Sequence, residues 1–207
     1  HCISWIENPS LDNTNSLMKH PGVGTILATG GNAMVKAAYS CGKPALGVGA
    51  GNVPAYVEKS ANIKQAVNDI VMSKAFDNGM VCASEQAVII DKEIYQEVLD
   101  QFKILHTFLC NKEEKKLLEQ FMFSDGVKLN PYVVGKSAHH IAKKAGFSVP
   151  ENTNILLVEC SNVGENEPLT REKLSPILSV LKANNQKDGI RLAKEMVELD
   201  GLGHSAM

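Results

Sequence analysis

Apolar residues are arranged along this 207-residue chain in two alternating patterns, short continuous runs and spacings of three or four residues. The runs predict short, mostly buried strands: 24–28, 45–49, an extended AYVE at 55–58, 87–90, 155–158 and 177–181. The spacings predict helices: 11–18 after Ser10, one carrying Met34 to Ala38 and closed by Gly42, one from Ile63 to Asp77, 92–105, 112–123, one from Ser137 to Gly146, and 188–199. Residues 183–187 read as a polar loop. Because strands and helices alternate throughout, the chain belongs to the α/β class.

The strand at 24–28, the glycine-rich turn TGGN, the following helix and the ALGVG segment form a βαβ unit. Such a unit implies a parallel sheet, since parallel neighbours need a crossover connection.

Composition and charge exclude several functions. The 21 basic and 23 acidic residues nearly cancel and form no basic run, which argues against a nucleic-acid partner. No apolar run approaches the roughly 18 residues that cross a bilayer, and the first residues do not resemble a signal peptide, so we expect a cytoplasmic protein. Five unevenly spaced cysteines indicate reduced thiols, and no metal-ligand motif is present.

Two glycine-rich segments are candidates for cofactor binding. GVGAG, residues 47–51, is followed by an extended segment and not by a helix, so it does not fit a dinucleotide fingerprint. TGGN, residues 29–32, does join a strand to a helix N-terminus, where free amides can meet an anion. A turn of this kind is also common without any ligand.

Cys82 is the candidate nucleophile. It lies in a turn between a helix and a strand, where its small neighbours Ala83 and Ser84 leave backbone amides free for an oxyanion. A buried, inert thiol is the ordinary alternative, and no histidine nearby in sequence offers a base. Glu172 in REKLSPIL is either a solvated charge or a ligand for hydroxyl groups.

Five motifs taken in order resemble the aldehyde dehydrogenase superfamily, and most of all the CoA-acylating acetaldehyde dehydrogenase half of bifunctional aldehyde-alcohol dehydrogenases. The motifs are ILATGGNAMVKAA, GKPALGVGAGNVP, FDNGMVCASEQAVI, REKLSPIL and GLGHSA. The resemblance covers practically the whole chain. It implies a catalytic domain with a mostly parallel sheet flanked by helices, plus the remnant of a Rossmann-like cofactor domain.

The resemblance also implies roles for individual residues. Cys82 matches the family's nucleophile, which forms a thiohemiacetal and then a thioester. Gly30 and Gly31 match the turn that packs against NAD, Gly49 lies in the segment near the nicotinamide, and Glu172 matches the glutamate that binds the nicotinamide ribose. No metal is implied.

One departure from the family bears on the reaction. Hydrolytic members carry a glutamate that activates water, and alignment on Pro54 places Val48 at that position. Valine cannot accept a proton, so the thioester is expected to survive until the thiol of coenzyme A takes the acyl group.

The family's first cofactor-binding strands would precede residue 1, and further domains would follow Met207. We therefore expect a fragment: residues 1–59 as the end of the NAD-binding domain and 60–207 as the catalytic domain. Uncovered sheet edges would favour a homo-oligomer.

The expected activity is conversion of acetaldehyde, CoA and NAD to acetyl-CoA and NADH. Three alternatives stay open: a folded module without catalysis, a thioester-forming cysteine enzyme that uses no nicotinamide, and a related semialdehyde reductase with a phosphate leaving group.

Overall fold

The computed structural model describes residues 2–123, 126–200, 202 and 204–207. The chain divides into two compact units, His1–Ala50 and Gly51–Met207. The first unit contains a two-stranded parallel sheet and two helices: α1 (Leu11–Lys19), β1 (Ile26–Thr29), α2 (Asn32–Ser40) and β2 (Ala45–Val48).

Local signals account for the elements of the first unit. The Ser10 hydroxyl accepts a hydrogen bond from the Asn13 amide at 3.1 Å and starts α1. Strands β1 and β2 pair in parallel, with Ile26 opposite Ala45, so the predicted βαβ unit is confirmed. A small apolar cluster packs between the sheet and the helices: Met18, Ile26, Ala28 and Ala38.

The second unit is built on five parallel strands in the order β3-β4-β7-β6-β5. Its elements follow in sequence: β3 (Val53–Val57), α3 (Ile63–Ala75), β4 (Glu85–Asp91), α4 (Tyr95–Ile104), β5 (Thr107–Leu109), α5 (Lys112–Met122), α6 (Ala138–Ala145), β6 (Ile155–Glu159), β7 (Ile177–Ala183) and α7 (Gln186–Asp200). Short 3₁₀ turns cover Phe76–Gly79, Pro131–Val133 and Pro168–Thr170.

Helices cover both faces of this sheet. Val88 and Ile90 of β4 pack in one apolar cluster with α3 and α4, while Ala87 and Ile89 pack in another with α5, α6 and α7. Successive strand residues point to opposite faces, so β4 contributes to both cores and is buried along its whole length. The predicted α/β class with a parallel sheet is confirmed.

Several expectations about elements were wrong in detail. The strand β5 was not predicted, because three residues are too few to show a periodicity. Residues 183–187 are not a continuous loop, since Ala183 ends β7 and α7 already begins at Gln186. The predicted helix at 92–105 begins later, at Tyr95, because Lys92 donates its amide to Ala183 and extends the end of the sheet.

Along the sequence, the division into compact units falls between Ala50 and Gly51, whereas we expected a domain boundary after residue 59. The physical reason is β3, which pairs with β4 over Val53–Val57 and therefore belongs to the second sheet. That the first unit binds a cofactor and the second performs catalysis stays a prediction.

The GLGHSA motif lies at the end of the second unit. Its residues Gly201 and Gly203 lie outside the described residues, as does His1 at the start of the chain. Met207 exchanges backbone hydrogen bonds of 3.0 Å with Pro54 and Tyr56, so the end of the chain lies along the β3 edge.

Candidate functional site

Three chain segments meet at the amino edge of the second sheet. Gly51 precedes β3, Cys82 precedes β4 and Glu172 precedes β7. These three strands are neighbours in the sheet and run in the same direction, so the loops that enter them lie side by side. The fold thus brings together Cys82 and Glu172, which are far apart in sequence.

Gly51 lies at the centre of this arrangement. Its amide N–H donates to Glu172 Oε1 at 3.0 Å. A Cβ atom at Gly51 would lie 2.7 Å from the carbonyl oxygen of Cys82 and 3.0 Å from the ring of His204. Only glycine allows these three groups to approach the backbone so closely.

Cys82 itself is partly buried and lies in the predicted turn between α3 and β4. The turn is preceded by three residues in the left-handed region: Asp77 with φ 49°, Asn78 with φ 52° and Gly79 with φ 69°. Asp77 and Asn78 have Cβ atoms, and such conformations cost about 1 kcal/mol or more each. Strain of this kind beside a reactive side chain is typical of a pre-organised site.

Neighbouring segments hold the strained turn in place. The Asn78 side chain donates to the carbonyl oxygen of Gly135 at 3.0 Å. Gly79 packs closely on Ser175. A Cβ atom at Gly79 would lie 2.5 Å from the Ser175 carbonyl oxygen. Because these contacts connect the turn to two separate loops, it cannot relax without moving both.

The amides around Cys82 differ from our expectation in one respect. The Ser84 amide is not free, because it donates to the carbonyl oxygen of Val81 at 2.9 Å and closes the turn. Among the residues that the structure describes, the amides of Cys82 and Ala83 donate no hydrogen bond. Two adjacent N–H groups therefore remain available to an oxyanion.

Glu172 is partly buried, and its environment shifts its ionisation. Burial raises the pKa of the Glu172 carboxyl, while the hydrogen bond from Gly51 and the proximity of His204 act in the opposite direction. The His204 ring accepts the Ser205 amide at Nδ1, at 2.8 Å, so a neutral ring carries its proton on Nε2. Within the described residues, Glu172 Oε2 has no hydrogen-bond partner.

The predicted glycines Gly30, Gly31 and Gly49 all lie in the first unit. The Gly30 amide donates to the Val48 carbonyl oxygen at 3.2 Å, and Gly31 is the N-cap of α2 with no side-chain hydrogen bond to the helix end. A Cβ at Gly49 would lie 2.7 Å from Asn32 Oδ1. The backbone amides in the first turn of α2 are thus bordered by glycines, whose lack of a side chain leaves these amides accessible to a ligand.

A cavity of about 690 Å³ lies at the other edge of the second sheet, near the carboxyl ends of β5, β6 and β7. Two of its charged lining residues already have side-chain partners: Lys115 pairs with Glu167, and Glu159 accepts a hydrogen bond from the Tyr95 hydroxyl. Because the strands are parallel, this cavity and Cys82 lie at opposite edges, and we do not assign it to the same site.

Two further observations concern the described part of the chain as a whole. It contains no group of three or more His, Cys, Asp or Glu side chains placed to hold a metal ion. None of the helices described is both long enough and apolar enough to cross a membrane.

Gly51 and His204 were not singled out from the sequence. Gly51 is the last residue of GVGAG, which does not fit a dinucleotide fingerprint. His204 lies in the GLGHSA motif, which was considered only as part of the family resemblance. Gly51 could have been noticed because it lies two residues before the strand β3. The neighbours of that strand in the sheet were not known from the sequence, so this position could not be interpreted.

This fold agrees with the comparison to known proteins. The aldehyde dehydrogenase family model matches residues 3–109, more than half of the chain. The chain belongs to the aldehyde dehydrogenase family.

Individual relatives are more specific. The chain is 67% identical to the aldehyde-alcohol dehydrogenase of Streptococcus pneumoniae, over 100% of this chain and 24% of that protein. It therefore spans about a quarter of the length of that curated relative.

Two solved structures resemble the chain closely. An acetylating aldehyde dehydrogenase from Geobacillus thermoglucosidasius superimposes with a TM-score of 0.92 at 44% identity, covering 96% of this chain and 44% of that one. A propionaldehyde dehydrogenase from Rhodopseudomonas palustris, solved with bound CoA and an acylated cysteine, gives 0.83 at 35% identity over 92% of this chain and 43% of that one.

Proposed function

We propose that this chain carries the thiol nucleophile and part of the cofactor site of an NAD-dependent, CoA-acylating aldehyde dehydrogenase. The reaction is aldehyde + CoA + NAD⁺ ⇌ acyl-CoA + NADH + H⁺, with acetaldehyde as the proposed substrate. The observation that carries the proposal is the convergence of the Cys82 turn and Glu172 on Gly51.

The Cys82 thiolate attacks the aldehyde carbonyl, forming a carbon–sulfur bond and leaving negative charge on the oxygen. The free amides of Cys82 and Ala83 are suited to stabilise that oxygen, because they belong to a turn already closed by the Ser84–Val81 hydrogen bond. Protonation of the oxygen gives a thiohemiacetal on Cys82.

Glu172 fits the role of holding the cofactor. One of its oxygens is fixed by Gly51, and the other is free to accept a hydrogen bond from a ribose hydroxyl. In the first unit, Gly30, Gly31 and Gly49 offer backbone without obstructing side chains. When bound, the nicotinamide supplies the hydride acceptor that makes oxidation of the thiohemiacetal to a thioester possible.

The thioester on Cys82 is then cleaved by the thiol of coenzyme A, which restores the cysteine and releases acyl-CoA. Val48 supports this acceptor over water, because it offers no base at the position where hydrolytic members have glutamate. The relative with bound CoA and an acylated cysteine supports the same order of steps.

The same proposal extends to the location and the oligomeric state of the enzyme. We propose that it acts in the cytoplasm as a homo-oligomer, with small-molecule aldehyde and CoA as its substrates. In the first unit, Leu27 of β1 and Leu46 of β2 are 80% and 65% exposed, an apolar surface that supports association.

The test uses the full-length gene product. NADH formation should require aldehyde, CoA and NAD⁺ together, and Cys82→Ala should abolish it. Glu172→Gln should raise the KM for NAD⁺ more than the KM for CoA. NADH formation that persists in Cys82→Ala, or an unchanged cofactor KM in Glu172→Gln, would contradict the assigned roles.

A further inference from the structure

A β-bulge lies four residues after Cys82, at Gln86. In the pairing of β3 with β4, Val53 lies opposite Glu85 and Pro54 lies opposite Ala87, so Gln86 has no partner. The pairing of β4 with β7 begins only at Ala87. Gln86 therefore interrupts the register between β3 and β4 at a fully buried position.

Lys173 donates a hydrogen bond to the backbone of this bulged residue. Its side chain has 0% exposure, and its Nζ donates to the carbonyl oxygens of Gln86 at 2.9 Å, Leu169 at 2.6 Å and Arg171 at 2.9 Å. Three acceptors satisfy all the donors of a charged amino group. Burial lowers the pKa of Lys173 to about 7, and the proximity of Cys160 and Glu172 acts in the opposite direction.

The side chain of Gln86 completes the connection. Its Oε1 accepts the backbone amide of Lys173 at 3.0 Å, and its Nε2 donates to the carbonyl oxygen of Ser84 at 3.2 Å. One end of Gln86 therefore holds the residue next to Glu172, and the other end holds the turn that carries Cys82. Lys74 Nζ also approaches Gln86 Oε1, at 3.4 Å.

We propose that the Gln86–Lys173 pair is a positioning clasp that fixes Glu172 relative to Cys82, with Lys173 as the positioning residue. This proposal rests on the function proposed above for Glu172 and Cys82. The clasp is polar and fully buried, so its amino group is removed from water at a cost in free energy. An apolar side chain at residue 173 would avoid that cost. The bonds of the clasp instead join two backbone segments that a purely apolar contact would not hold in one register.

The two segments are not equally free to move. Gln86 is anchored, since β4 pairs with a strand on each side, whereas residues 171–173 lie outside the sheet, between the 3₁₀ turn Pro168–Thr170 and β7. Loss of the clasp should therefore displace Glu172 more than Cys82. This asymmetry separates a positioning role from general support of the fold.

The experiment compares Lys173→Met with Lys115→Met in the full-length gene product. Lys115 also donates to a backbone carbonyl oxygen, that of Glu159 at 3.0 Å, but it lies at the opposite edge of the sheet. We expect Lys173→Met to raise the KM for NAD⁺ about tenfold and to change the rate of Cys82 alkylation by iodoacetamide less than about twofold. Lys115→Met should change neither quantity.

A double variant distinguishes this proposal from the proposed function. If Lys173 acts through Glu172, then Lys173→Met combined with Glu172→Gln should raise the cofactor KM no further than Glu172→Gln alone. An unchanged KM in Glu172→Gln would overturn the role of Glu172 itself. A normal KM in Lys173→Met, additive effects in the double variant, or equal loss of NAD⁺ binding and Cys82 alkylation would overturn the clasp.

If Lys173→Met does not give folded protein, Gln86→Leu replaces it. That variant removes the acceptor for the Lys173 amide and the donor to Ser84 but leaves the lysine in place. The same selective rise in the KM for NAD⁺ is expected, and its absence in a folded Gln86→Leu variant would equally overturn the proposal.

Discussion

The backbone amide of Gly51 donates to a carboxylate oxygen of Glu172 at 3.0 Å and so ties the residue before β3 to the segment before β7. Gly51 also lies against the carbonyl oxygen of Cys82, which precedes β4, the strand between β3 and β7. A single glycine thus sets how closely the proposed nucleophile and the proposed cofactor ligand approach each other.

Gly51→Ala should disturb this site strongly. The added Cβ would lie 2.7 Å from a backbone oxygen, which cannot rotate away as a flexible side chain could. We expect a loss of roughly 1–3 kcal/mol in unfolding free energy and slower alkylation of Cys82. Urea denaturation and timed iodoacetamide labelling measure the two effects.

Gly24→Ala is the matched control, because a Cβ there would meet nothing within 4 Å. It should leave both quantities unchanged. If Gly51→Ala behaves like Gly24→Ala, the close approach described at Gly51 is not present in solution.

The five cysteines should differ in reactivity at neutral pH. Burial raises the pKa of Cys110 to about 12 and of Cys160 to about 11, so both should resist iodoacetamide. Cys82 is partly exposed and should react well ahead of them, and mass spectrometry with Cys82→Ala as reference identifies the site. Labelling of Cys82 no faster than Cys110 and Cys160 would argue against a preformed nucleophile.

Particular residues show what could be predicted from the sequence and what could not. Cys82 was placed correctly in a turn between helix and strand, because Gly79 and the polar residues before it break the helical pattern. The contact between Glu172 and Gly51 could not be predicted, since it depends on β7 lying next to β4, and strand order is a long-range property. Gln86 reads as an ordinary strand residue, and only the register reveals its bulge.

The left-handed turn before Cys82 provides a test of stored strain. Asp77 has φ 49° and ψ 36°, a conformation that glycine adopts at no steric cost. Asp77→Gly should leave the unfolding free energy unchanged or raise it, whereas Asp77→Val should lower it by about 1–2 kcal/mol. The same pair of substitutions at Asp69, inside α3, should favour valine, because glycine is the poorer helix former. Equal stability of the two Asp77 variants would mean that this turn is not strained.

Lys173 should contribute a rise of stability with pH above neutrality. Burial lowers its pKa from 10.5 to about 7, so between these values the unfolded chain binds a proton that the folded chain lacks. The contribution of Lys173 to the unfolding free energy then increases with pH over this interval, by up to about 1.4 kcal/mol per pH unit for one proton. Cys110 and Cys160, whose pKa values are raised, contribute with the opposite sign, so the comparison with Lys173→Met isolates the lysine. Urea denaturation at pH 7, 8 and 9 measures the slope, and Lys173→Met should reduce it.

Lys74 should contribute a slope of the same sign that persists in Lys173→Met, since burial also lowers its pKa. Lys115→Met is again the control. For Lys115, the lowering of the pKa by burial is outweighed by its bond to Glu167, so it stays charged in both states at these pH values. An identical slope in the wild type and in Lys173→Met would show that Lys173 does not titrate in this range.

Val48→Glu tests whether the proposed acyl transfer depends on the lack of a carboxylate at residue 48. If the lack of a carboxylate at residue 48 is what protects the proposed thioester on Cys82, introducing a carboxylate there should allow water to compete with coenzyme A. We expect carboxylic acid to form from aldehyde and NAD⁺ without CoA at least several times faster than in the wild type, measured as the initial rate of acetate release. Val48→Gln has similar size and no base, so it should not gain this activity. Equal acid formation by the two variants would mean that the protection of the thioester comes from elsewhere in the site.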